Sequence, residues 1–170
     1  IEAVPRLEAN APWTWRRTEI DPETLPRLKF VDVASWTGDY VTGPMTTIAQ
    51  SLPNDEWVGK NVGTVNMVYA NTGKASHKIS GSFLAGEFLT EKYMEKYGDL
   101  LFEAGQIHSA LHEIGHTTGR QDPDHEGEPR KYLESEYSAL EETRAELFGM
   151  WSASVLCGDG VLSREMTEAI

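Results

Sequence analysis

Cysteine is nearly absent: a single one, Cys157, stands among the 170 residues of this chain. That excludes an intramolecular disulfide framework and fits a reducing compartment, so a cytoplasmic location is expected. Long apolar runs are missing too. None approaches the roughly 18–20 residues of a membrane span, and no signal peptide is legible. Positive charge is scarce: 15 Lys and Arg stand against 27 Asp and Glu, a formal charge of −12. With no basic cluster to offset it, neither nucleic acid nor an anionic membrane is expected as a partner. Proline is sparse after residue 75, where only Pro123 and Pro129 follow the six at 5, 12, 22, 26, 44 and 53.

What is present suits one domain or a piece of one, with 39% hydrophobic and 25% charged residues. The chain opens at Ile1 rather than Met and stops inside a helix-like pattern at Ile170, so a fragment of something larger is expected. Its two halves differ in texture. Residues 1–75 are expected to be loop- and strand-rich, with Arg27–Trp36 and Gly63–Asn71 as strands, since both mix β-branched and aromatic residues between turn formers. Residues 76–170 read as helical. Apolar spacing predicts helices over Leu84–Gly98, Asp99–Thr118 with Gly119 as its stop, Arg130–Leu156, and a short one after Ser163. The polar segment "RQDPDHEGEPR" reads as a loop between the second and third. The expected class is therefore α+β, predominantly α in the second half.

The chemistry gathers in "HSALHEIGHTTGR", His108 to Arg120. His112, Glu113 and His116 form H-E-x-x-H, and on a helix the two histidines share one face. Both rings can then reach one zinc ion, with Glu113 one position round as a base for the attacking water. Two histidines hold zinc weakly, and a catalytic site needs a third protein ligand with one position left open.

Four residues compete for that place. His108 lies one turn before His112, but three turns of one straight helix cannot converge on an ion at tetrahedral angles, so packing or an outer contact is expected of it. His125 reads as an exposed loop histidine. Asp122 completes H-E-x-x-H-x-x-G-x-x-D, which resembles the metzincin pattern with Asp for the last His. Glu142 lies in "SALEETRAELFGMW", on one helical face with Glu146. The stripe Leu140, Leu147, Met150, Trp151 and Val155 predicts that this helix packs closely. The separation, 142 − 116 = 26 residues, lets the loop reverse and bring the two helices together. Glu142 is the expected ligand, as in gluzincins. His77, in "GKASHKISG", reads as a lone loop histidine with no role.

"HEIGH" followed by "EETRAE" resembles the paired signatures HExxGH and EExRA[ED] of the dipeptidyl peptidase III family of zinc exopeptidases. The likeness extends upstream through "SLPNDEWVGKNVGTVNMVYA" and "KFVDVASWTG", and covers about Lys29 to Trp151. It implies zinc held by His112, His116 and Glu142, Glu113 as general base, a peptide substrate, and Asn54 on the substrate backbone. Glu146 is inferred to orient a ligand histidine, and Arg144 to pair with nearby carboxylates. The chain departs from the family in several ways, among them a shorter loop between the two motifs. Only Ile114 and Gly115 separate Glu113 from His116, so no bulge is needed; Ser51 stands where Asn is usual; and the family's transition-state Tyr and His lie outside the matched region. Some relatives carry this domain beside a Nudix hydrolase domain. The alternatives are another zincin, either metzincin-like or resembling the antirestriction-associated metallopeptidases, and a non-catalytic interaction domain.

Overall fold

A computed structural model of the chain describes residues 2–12, 27–38, 47–53, 58, 62–118 and 129–170. Asn54, Gly119, Asp122 and His125 lie outside the described residues. The element order is α1 (Val4–Asn10), β1 (Arg27–Val31), β2 (Ala49–Leu52), β3 (Val65–Tyr69), α2 (Ala70–Ser76), α3 (Ser82–Phe88), α4 (Glu91–Tyr97), α5 (Leu101–His116), α6 (Pro129–Leu133), α7 (Tyr137–Gly158) and α8 (Arg164–Ala169). The class is α+β, with helix dominating the second half.

The three strands form one sheet in the order β1-β3-β2. β1 runs parallel to β3 with Arg27 opposite Val65, and β2 runs antiparallel to it with Ala49 opposite Val68. Asn71, just past β3, ties the exit of β1: its side-chain amide donates to the Val33 carbonyl at 2.9 Å and its Oδ1 accepts from the Val33 N–H at 3.0 Å. β2 was not expected from "AQSL", which has no β-branched or aromatic residue; the ladder with β3 forms it.

The helices differ in three places from the periodicity. The span Leu84–Gly98 is two helices, because Leu89 is extended and the Thr90 hydroxyl starts α4 by accepting from the Tyr93 N–H at 3.2 Å. Arg130–Leu156 is likewise broken, at Glu134, whose φ of 47° no continuous helix accommodates. α5 begins at Leu101, after a 3-10 turn over Gly98–Leu100. The expected loop around His77 is instead a π-helical turn, His77–Gly81, with the imidazole 5.5 Å from the Phe102 ring. Ser163 caps α8 as the sequence suggests, accepting from the Met166 N–H at 3.0 Å.

The core joins α1, α5 and α7 through Val4, Leu7, Ala11, Leu111, Ile114, Phe148, Ala153 and Leu156. A smaller cluster of Tyr97, Ala104 and Ala169 seats α8 beside the start of α5. The close packing of α7 holds, and Trp151 and Val155 lie against the core as expected, but the other three members of the expected stripe do not. Leu140, Leu147 and Met150 are 50%, 59% and 55% exposed. The buried face is Ala145, Phe148, Gly149, Ser152, Ala153 and Leu156. Small side chains let two backbones approach, so Ala145 and Gly149 occupy the closest contact, beside the buried Phe148 and Leu156. Among the described residues, no helix is long and apolar enough to cross a membrane.

Candidate metal centre

α5 and α7 meet at two glycines. A Cβ on Gly115 would lie 2.9 Å from both Cα and O of Ala145, and one on Gly149 would lie 3.3 Å from the His112 backbone nitrogen. These contacts set the separation of the helices, and with it the reach from the imidazoles of α5 to the carboxylates of α7.

Across this contact three side chains converge. His112 Nε2 lies 3.2 Å from His116 Nε2 and 3.2 Å from Glu142 Oε2, and His116 Nε2 lies 3.7 Å from the same oxygen. A tetrahedral ion with donors at about 2.0–2.2 Å sets its ligands roughly 3.3–3.6 Å apart. The donor set and its spacing therefore fit a divalent ion such as zinc. Two imidazoles and a carboxylate could supply three protein ligands, and 62% of the Glu142 side chain is exposed, so one side of the group stays open to solvent.

The opposite ring nitrogens fix the tautomers. His116 Nδ1 lies 3.1 Å from Glu141 Oε1, and His112 Nδ1 lies 3.1 Å from Glu146 Oε2. Burial favours a neutral Glu141, but hydrogen bonds from His116 and Arg144, with their charges, outweigh it and hold its carboxyl at about 2. Glu146 is likewise held below the usual range, its partial burial overcome by His108 and His112. An ionised carboxylate only accepts, so each facing Nδ1–H donates. That leaves both Nε2 lone pairs aimed at each other and at the Glu142 carboxylate. With both rings neutral, three acceptors face one another, an arrangement that attracts a cation, be it a metal ion or a proton. Burial lowers the basicity of His116, yet Glu141, Glu142 and Glu113 together raise it above an ordinary histidine.

Glu113 sits beside this group on the buried side, with 7% of its surface exposed. Burial pushes its carboxyl up to about 7, opposed by His116 and assisted by Glu142. A carboxylate poised near neutrality suits proton transfer.

His108 lies apart from the triad, with its Nε2–H between the two oxygens of Glu146 at 3.0 and 3.1 Å. Arg144 pairs with Glu141. Sequence reasoning missed Glu141 as a partner of His116. Its i,i+3 spacing from Arg144 was the available signal, hidden within a charge-dense run that reads as a solvated face.

No family model matches the chain. Nudix hydrolase 3 of Arabidopsis thaliana is 30% identical over an alignment of 168 residues, and the match covers 96% of this chain and 21% of that protein. The structure of dipeptidyl-peptidase III from Corallococcus sp. strain EGB superposes with a TM-score of 0.85 at 25% identity, over 99% of this chain and 31% of that one. DPP III from Caldithrix abyssi superposes with a TM-score of 0.75 at 24% identity, over 100% of this chain and 32% of that one. The chain thus spans about a fifth of the curated relative and under a third of each solved chain. Its fold is that of a section of dipeptidyl peptidase III.

Proposed function

We propose that the chain is the zinc-binding part of a metallopeptidase of the dipeptidyl peptidase III type, cleaving peptide bonds near a free N-terminus. The convergence of two Nε2 lone pairs and one carboxylate oxygen carries this reading. His112, His116 and Glu142 would hold zinc. When bound, zinc polarises a substrate carbonyl and makes water a nucleophile near neutral pH. Glu113 takes the proton of the attacking water and returns it to the leaving amine. Glu146 and Glu141 keep the two ligand rings turned inward. Asn54 is assigned to the peptide backbone by the family resemblance.

Metal titration against a chelator tests the ligand set. One zinc per chain is expected. Glu142→Ala should weaken binding by more than about 100-fold, beyond the cost of losing an outer partner, and Asp122→Ala should leave it unchanged. The reverse pattern would transfer the third ligand to Asp122 and favour the metzincin-like arrangement.

The Arabidopsis match favours a second reading. A stretch 30% identical to this chain lies within a protein named as a Nudix hydrolase, so the chain is alternatively a non-catalytic domain accompanying such an enzyme. The chain covers under a third of each solved peptidase, so a dipeptidyl-arylamide assay on the zinc-loaded full-length protein separates the two, since only the first reading predicts turnover there.

A further inference from the structure

We propose that Arg144 is a positioning residue for His116, acting through Glu141; the inference rests on the zinc reading above. The Arg144 guanidinium reaches in two directions. Nε and Nη2 donate to the two oxygens of Glu141 at 3.0 and 2.6 Å, a bidentate fork. Nη1 donates to the Thr118 carbonyl at 2.7 Å, and Nη2 also donates to the Gly115 carbonyl at 2.9 Å. Gly115 and Thr118 bracket His116 at the end of α5, where a helix frays unless its carbonyls are held. One planar group thus clamps the backbone on both sides of His116 and the carboxylate that receives its Nδ1–H.

The two histidines are held differently. Glu146, the partner of His112, is half exposed, divides its oxygens between His112 and His108, and shows no guanidinium contact among its described hydrogen bonds. Glu141 and Arg144 are 14% and 17% exposed, and Glu141 Oε1 accepts from both Arg144 and His116. His116 is therefore the ligand with a fixed direction. Lysine would keep the charge of Arg144, but a single ammonium cannot span four acceptors lying on two helices.

Zinc affinity by chelator competition, and the visible spectrum of the cobalt(II)-loaded protein, test this on the parent, Arg144→Lys, Glu141→Gln and the double variant. Each single change should weaken zinc about 10–100-fold and alter the cobalt spectrum. The double should be no more than about twofold weaker than the worse single, because both act on one path. Affinity of Arg144→Lys within twofold of the parent with an unchanged cobalt spectrum overturns the inference, as does an additive loss in the double. Should Arg144→Lys fail to fold, Glu141→Gln decides: a parent-like affinity overturns the path, and a 10–100-fold loss upholds it. A parent chain that takes up no zinc overturns the metal reading and this inference together, whereas a zinc-binding parent with unaffected variants overturns the inference alone.

Discussion

Glu113→Gln is expected to keep zinc and to lose peptide hydrolysis by about 10²–10⁴-fold in kcat, the range general-base catalysis supplies. Glutamine preserves the shape of the side chain and an acceptor oxygen, but it has no basic site for the proton of the attacking water. Glu113 is not among the three converging donors, so metal stoichiometry should match the parent. The same variant carries a second signature. In the unfolded chain this carboxyl ionises near 4.5, and in the folded chain burial pushes it up to about 7. Across that window the unfolded state gives up its proton first, so the group removes stability progressively from about pH 4.5 to 7 and fully above it. Glutamine never ionises. With chelator present, the stability advantage of Glu113→Gln over the parent should be larger at pH 8 than at pH 5. Parent-like kcat in the zinc-loaded variant would remove Glu113 from the reaction. An equal stability difference at both pH values would remove it from the buried environment described.

Gly115→Ala should damage both the fold and the metal centre. The added methyl would stand 2.9 Å from Ala145 Cα and O, which are backbone atoms with no rotamer to move into. Overpacking of this kind costs about 1–3 kcal/mol, and at this chain length roughly 2–4 °C of Tm accompanies each kcal/mol. Relief comes by moving α7 away from α5. That movement separates Glu142 from His112 and His116, whose donor distances of 3.2 and 3.7 Å leave little slack. Zinc affinity should therefore fall along with Tm. Gly149→Ala, with its nearest contact at 3.3 Å, should show the same changes at smaller amplitude. Unchanged melting and zinc affinity in Gly115→Ala would mean that the glycine contact does not set the geometry of the centre.

The convergence of His112, His116 and Glu142 was legible because metal-site chemistry requires particular side chains at helical spacing. His112 and His116 share a face in any regular helix, and the 26 residues from His116 to Glu142 permit a second helix to fold back. What brings the helices close enough was not legible. A search for large apolar residues selects Leu140, Leu147 and Met150, which face solvent, and passes over Gly115, Ala145 and Gly149, which make the contact. β2 escaped for a related reason: its four residues owe their extended form to the edge of β3 rather than to their own preferences. The break between α3 and α4 depends on a single Thr90 cap within a continuous apolar pattern. Glu141 was hidden because a buried carboxylate and a solvated one look alike until the facing histidine and arginine are located.

The most direct measurement is an anomalous-difference map collected at the zinc edge from crystals of the zinc-loaded chain. A single strong peak within about 2.0–2.2 Å of His112 Nε2, His116 Nε2 and a Glu142 oxygen is predicted. A map with no peak between those atoms, or one in which Asp122 takes the place of Glu142, would contradict the account.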